Sequence, residues 1–187
     1  MAIAIPAIVD VPAIIPDAVL DIRYATANNF LSRPVYPFAA AYLRLPTAEK
    51  LAAAAESLRA RGYRLVIYDA YRPMAAQRQL WAAKPDPAFV ADPARGSYHN
   101  RAAAVDVALA DKDGRALVMP SDFDDFSEKA RLSYEGGSAP ARRRRDELCQ
   151  AMEAAGLRSF EQEWWHYRDP AGAAWPLLDF DFELFRR

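Results

Sequence analysis

Arg64-Leu65-Val66-Ile67-Tyr68-Asp69 is the run whose reading decides the fold. It is short and β-rich, bounded by Gly62 on one side and the Tyr71-Arg72-Pro73 turn on the other, so it reads as a buried strand. Immediately before it, Thr47 to Arg61 is rich in Ala and Leu, with Thr47 placed to cap the first turn and Gly62 placed to end a helix. Immediately after it, Pro73 suits a first helical turn, and Met74 to Ala83 is composed of helix formers. Further out the alternation breaks down. Ala103-Ala-Val-Asp-Val-Ala-Leu109 is a second strand, and Asp111-Lys-Asp-Gly114 ahead of Arg115 to Val118 is a hairpin signal. Pro140 to Ala155 is a helix ended by Gly156, and Glu163-Trp-Trp-His-Tyr-Arg168 is a third β-rich run. Helices and strands that do not strictly alternate predict an α+β domain whose mixed sheet is largely antiparallel.

The remaining segments are punctuated by proline. Residues 1–46 contain Pro6, Pro12, Pro16, Pro34, Pro37 and Pro46, lack a sustained period, and are expected to wrap the domain. Residues 84–96 hold Pro85, Pro87 and Pro93 and are expected to form a loop, while 121–138 reads as a polar surface segment with some helix. The chain has 187 residues, which suits one domain and leaves little room for two cores. Hydrophobic residues at 52% and charged residues at 26% exclude a disordered chain. A formal charge of -1 provides no global field for nucleic acid or an acidic membrane. Met1 to Ile15 has no basic residue and is broken by prolines, so it is not a signal peptide, and no run reaches the roughly 18 apolar residues of a spanning helix. A single cysteine, Cys149, excludes an internal disulfide and a thiolate-rich metal site; a cytoplasmic location is expected.

Only two histidines occur, His99 and His166, so a metal here would need carboxylates to complete its shell. Asp106, seven residues after His99, is the one charged residue in an apolar strand, and a buried carboxylate needs a cation, a metal or several donors. A structural aspartate held by Arg101 or by backbone amides would satisfy the same demand. Glu163 precedes His166 by three residues. On a regular strand that spacing points the two side chains to opposite faces, so a bulge or a strand-end position is required to bring them together. Two imidazoles and one carboxylate make a suitable catalytic zinc set with a fourth position open, and a second carboxylate outside the shell can act as general base. Spacing alone allows either Asp106 or Glu163 to be the ligand. Arg72, in the turn after the first strand, could stabilise an oxyanion or simply pair with Asp69.

Taken in order, Ser97-Tyr-His99, Asp106 and Glu163-Trp-Trp-His166 resemble the VanX-type D-alanyl-D-alanine dipeptidases. The similarity extends to Arg23-Tyr-Ala-Thr-Ala-Asn-Asn-Phe30, to Asp69-Ala-Tyr-Arg-Pro73 and to Ser121-Asp-Phe-Asp124. The resemblance implies the small α+β fold of D,D-peptidases and hedgehog zinc domains. It implies one Zn2+ per chain held by His99, Asp106 and His166, with Glu163 as base and Arg72 as transition-state stabiliser. Asp124, flanked by Asp122 and Asp125, stands where the family binds the amino group of the dipeptide, and Ser97 and Tyr24 line the cleft. The implied substrate is a small D,D-dipeptide; a carboxypeptidase or endopeptidase acting on peptidoglycan stems, and a zinc module without catalysis, are the alternatives. Three departures stand out. Ala102 replaces a usual glycine, so the backbone there is not expected to need a glycine-only conformation. Phe38, with Tyr36 nearby, replaces an aromatic hydroxyl near the amine site, and the 74–97 loop is short. The run Arg142 to Arg145 is expected to be a solvated face paired with Asp146 and Glu147.

Overall fold

Residues 7–185 are described by a computed structural model of the chain. In chain order the elements are β1 (Ile8–Asp10), α1 (Val11–Ile14), β2 (Val19–Leu20), β3 (Tyr42–Arg44), α2 (Leu45–Arg59), β4 (Arg64–Asp69), α3 (Met74–Ala83), β5 (Ala104–Ala110), α4 (Ala139–Ala154), β6 (Arg158–Phe160) and β7 (Glu163–Arg168). The main sheet has the order β2-β4-β5-β7-β6, parallel only between β2 and β4, so the expected α+β architecture with a largely antiparallel sheet is what forms. β1 and β3 pair separately as an antiparallel ribbon. The proline-rich N-terminal region therefore contributes short strands as well as irregular chain; its first six residues, Pro6 included, lie outside the described residues.

Helix α2 buries Leu51, Ala54, Ala55 and Leu58, an i, i+3, i+4, i+7 stripe, and α4 buries Ala141, Leu148, Ala151 and Met152. The two helices pack together and against the sheet, each fully buried Leu or Met contributing roughly 1.5–3 kcal/mol. Helix α2 starts two residues earlier than predicted, because Pro46 occupies its first turn. Thr47 is consequently not the cap: it is fully buried, and its hydroxyl donates to Asp169 at 3.2 Å just beyond β7. At the far end Gly62, with φ at 85°, takes the left-handed conformation that lets the chain reverse into β4.

The predicted hairpin after β5 forms only its turn. Asp111 accepts hydrogen bonds from the Asp113 and Arg115 amides, but pairing stops after the single bridge Ala110↔Ala116. The chain then runs toward α4, where the basic run takes hold of it. Arg144 donates to the Val118 carbonyl, Arg142 to those of Gly136 and Gly137, and the buried Arg145 to that of Tyr134 as well as to Asp146. The expected pairing with Asp146 forms and Arg143 is exposed, but the expectation of a solvated face is corrected for Arg142, Arg144 and Arg145, which hold backbone carbonyls. Carbonyls of a segment without sheet partners need donors, and three arginines within one turn near the start of α4 supply them. Among the described residues no helix is long and apolar enough to cross a membrane.

Candidate functional site

Asp69, Asp106 and His166 lie in one row across β4, β5 and β7, as directly paired residues. Directly paired residues project to the same face, so these three converge. A bulge makes the row possible. Between the pairs Ile67↔Val107 and Asp69↔Asp106, β4 advances two residues while β5 advances one, which leaves Tyr68 as the extra residue and turns Asp69 toward Asp106. On the other side, Tyr167 interacts with Cys149 of α4, so its neighbours His166 and Arg168 face away from the helices. Beyond His166, β7 parts from β5, and Glu163 opens the strand opposite Phe160 after a register shift. That strand-end position brings Glu163 Oε2 within 4.0 Å of His166 Nδ1, resolving the facing problem posed by the spacing.

His99 enters from the loop before β5. Its Nδ1 donates to the Ala70 carbonyl at 2.7 Å, which directs the Nε2 lone pair of the neutral ring inward. His99 Nε2, His166 Nδ1 and Asp106 Oδ1 then form a triangle with edges of 3.2, 3.0 and 3.4 Å. Donors about 2.0–2.1 Å from a tetrahedral zinc stand about 3.3 Å apart, so the donor types and their spacing both fit such an ion. Among the described residues this is the group of ligating side chains brought close enough to hold a metal. The loop turns back into β5 through Ala102, at φ 54° and ψ 38°. The backbone thus does adopt the left-handed conformation that glycine favours, which an alanine can enter at a cost of about 1–2 kcal/mol.

Arg72 is buried beside the triangle and held on two sides. Its Nε and Nη2 donate to Asp69 Oδ2 at 3.0 and 2.7 Å, and its Nη1 donates to Gln77 Oε1 at 3.0 Å. Asp69 Oδ1 accepts from the Tyr36 hydroxyl at 2.7 Å and the Ala70 amide at 2.9 Å. Arg72 Nη2 lies 3.9 Å from Asp106 Oδ2. Pairing with Asp69 and presentation to the site are therefore both realised.

Across the cavity, Tyr24 donates to Asp124 Oδ2 at 2.9 Å. Asp122 turns outward to Arg23, and Asp125 accepts from the Ser127 amide, leaving Asp124 as the acid of the three that lines the cavity. Phe123 anchors this segment among Tyr24, Tyr68 and Trp165. Tyr36 is engaged by Asp69 and Phe38 packs on Phe182, so the hydroxyl beside the acid is that of Tyr24. Tyr24, Arg72, Ser97, His99, Asp106, Asp124, Glu163 and His166 all line one cavity of about 230 Å³.

Electrostatics divide the acids. Burial pushes Glu163 up to about 8, aided by the charges of Asp106 and Asp124 and opposed by His166. Burial likewise raises Asp124 to about 7, against the hydrogen bond from Tyr24. For Asp106 burial is outweighed by His99 and His166, which hold it far below the usual carboxylate range. The cavity therefore contains one firmly ionised carboxylate, Asp106, between two imidazoles, and two raised carboxyls, Glu163 and Asp124.

Sequence reasoning missed two residues that hold the site. Gln77 is fully buried, accepting from Arg72 and donating to the Ala91 carbonyl at 2.6 Å. Its signal was a polar residue on the same helical stripe as Met74 and Leu80. Asn100 accepts from the Ser97 amide at 2.8 Å and donates to the Arg72 carbonyl at 2.8 Å, joining the His99 loop to the arginine; nothing in its spacing marks it.

Comparison with known proteins covers almost the whole chain. Residues 6–183 match a peptidase family model described as D-ala-D-ala dipeptidase. The chain is 36% identical over 178 residues to a D-alanyl-D-alanine dipeptidase of Escherichia coli (strain K12), covering 95% of this chain and 92% of the relative. It is 31% identical over 187 residues to a D-alanyl-D-alanine dipeptidase of Enterococcus faecium, covering 88% and 91% of the two chains. A third, from Enterococcus faecalis, is 31% identical over 170 residues, with 79% and 84% covered.

Proposed function

The chain belongs to the D-Ala-D-Ala dipeptidase family of metallopeptidases, and on that premise we propose that it hydrolyses D-alanyl-D-alanine to two D-alanines, the whole chain acting as one catalytic domain. The observation that carries the reading is the triangle of His99, Asp106 and His166 donors inside a cavity that also holds Glu163, Arg72 and Asp124. A zinc ion held by those three side chains supplies Lewis acidity and lowers the pKa of water toward neutrality.

The chain's own residues do the rest. Asp106, kept ionised, suits a ligand, while Glu163 stands outside the triangle and 4.0 Å from His166, which suits a base. Glu163 takes a proton from the attacking water at a carboxylate oxygen and returns it to the leaving amine nitrogen, a task open to a carboxylate that lines the cavity but stands outside the triangle. Arg72, fixed by Asp69 and Gln77, presents positive charge where the carbonyl oxygen becomes an oxyanion, and needs no reorganisation to do so. Asp124, oriented by Tyr24, takes the substrate ammonium. Ser97 lines the same cleft and holds the loop that carries His99 through Asn100. Action in the cytoplasm is part of the reading, with Cys149 an unpaired thiol.

The test is D-alanine release from D-Ala-D-Ala by purified protein before chelation, after it, and after zinc is restored. Activity that disappears and returns with zinc, together with loss of bound zinc in His166→Ala, is expected. A zinc-loaded protein inert toward this dipeptide but active on longer muropeptides would move the substrate to peptidoglycan stems.

A further inference from the structure

Arg168 is the cation of the cavity wall that nothing else has claimed. It lies two residues beyond His166 on β7, on the same face, and lines the cavity together with Ser97 and Tyr98. Among the described residues its guanidinium makes no hydrogen bond and no ion pair; it lies over the Tyr98 ring, 4.9 Å from the centroid. That stacking matters. A guanidinium lying over an aromatic face is fixed in orientation while its in-plane N–H donors stay free, and that planar fork matches a carboxylate.

A zwitterionic dipeptide brings two charges into this cavity. Its ammonium has Asp124 and Tyr24, but its carboxylate needs donors, and the other candidates are already engaged. Arg72 is bound to Asp69 and Gln77, and its free approach is to Asp106. The Ser97 hydroxyl donates to Asn100 Oδ1 at 3.1 Å, as does its amide at 2.8 Å. Lys84 lies over Phe89 and Phe126 and does not line the cavity. Distance agrees as well. Alternate residues on a strand are about 6.8 Å apart, and the carboxylate carbon of a dipeptide is under about 4 Å from the carbonyl carbon that is attacked. One strand repeat from His166, an arginine's length covers the difference.

We propose that Arg168, stacked on Tyr98, binds the C-terminal carboxylate of the substrate and thereby selects free dipeptides over peptides extended or capped at that end. This rests on the dipeptidase reading. Arg168 is then a substrate-binding residue that lines the same cavity as Asp124, and the two fix the dipeptide by its two charges with the peptide bond between them.

The experiment compares D-Ala-D-Ala with D-Ala-D-alaninamide, which lacks the carboxylate charge, for the zinc-loaded wild type, Arg168→Gln and Arg168→Lys. Wild type is expected to favour the free acid in kcat/KM, and Arg168→Gln to lose about 10- to 100-fold on the acid, mostly in KM, with little change on the amide. Arg168→Lys, which keeps the charge without the fork, should fall between them. An acid-to-amide ratio unchanged by both substitutions overturns the proposal and leaves the dipeptidase reading standing. If wild type turns over neither compound, that reading fails instead. Arg168 is then judged by calorimetric Kd values for the same two compounds, where equal loss or no loss on both overturns it and selective loss on the acid supports it.

Discussion

A carboxylate outside the ligand triangle has a different fate on substitution from one inside it. Glu163 is 4.0 Å from the nearest ligand nitrogen, whereas Asp106 approaches both imidazoles at 3.0 and 3.4 Å. Glu163→Gln keeps the size of the side chain and its place at the start of β7 but can neither take nor return a proton. We expect kcat to fall by about 10²–10⁴ with bound zinc unchanged. Metal analysis alongside steady-state kinetics checks this, and loss of the metal with activity partly kept would exchange the roles of Glu163 and Asp106. The same reasoning shows what the residues alone revealed. His99, Asp106 and His166 stood out because the chain has only two histidines and one charge within an apolar strand. Which acid lies close to both imidazoles did not, because that depends on where β7 parts from β5, and spacing carries no record of it.

At the scale of elements, the strands and long helices were legible because each has a period and a stop signal: β4 between Gly62 and Pro73, α3 after Pro73, α4 before Gly156. What was not legible depended on partners far away in sequence. The bulge at Tyr68 turns Asp69 to Arg72 and Tyr36, and after β5 the end of the segment that would have paired is held instead by Arg144 of α4, at the Val118 carbonyl. That segment carries Asp124, at a positive φ of 58°, on a stretch with no strand to support it. Its support is Phe123, which is buried among Tyr24, Tyr68 and Trp165. Phe123→Ala should therefore cost about 3–5 kcal/mol of stability and, where the protein remains folded, raise KM for the dipeptide more than it lowers kcat. Thermal melts paired with kinetics at low temperature would show it; a proportional fall in kcat with KM unchanged would remove Phe123 from the positioning of the ammonium site.

At the scale of the whole molecule, the site is a concentration of buried charge that a cation bound by His99, Asp106 and His166 would balance. Asp106, Asp124 and Glu163 converge on one cavity, facing Arg72, His99, His166 and Arg168. Without metal, part of the balance falls to protons. Glu163 is raised to about 8, Asp124 to about 7, and His99 is also raised, burial being outweighed by Asp106 and Asp69 together. All three groups bind protons more tightly folded than unfolded, so between about pH 4 and 8 the folded state holds more protons and its stability falls as pH rises. Asp106, lowered by its imidazoles, works in the opposite direction, but its contribution is complete above the ordinary aspartate range and adds no slope in that window. The metal-free protein should therefore lose several degrees of Tm between pH 5.5 and 8.5, and the Glu163→Gln, Asp124→Asn double variant should lose markedly less. Zinc should reverse the trend, since deprotonated ligands bind it better as pH rises and a ligand held only by the folded state stabilises that state. Calorimetric melts of wild type and double variant, metal-free and zinc-loaded, across that range decide the matter: a metal-free Tm that climbs with pH would mean that the carboxyls of Glu163 and Asp124 do not carry protons in the folded protein.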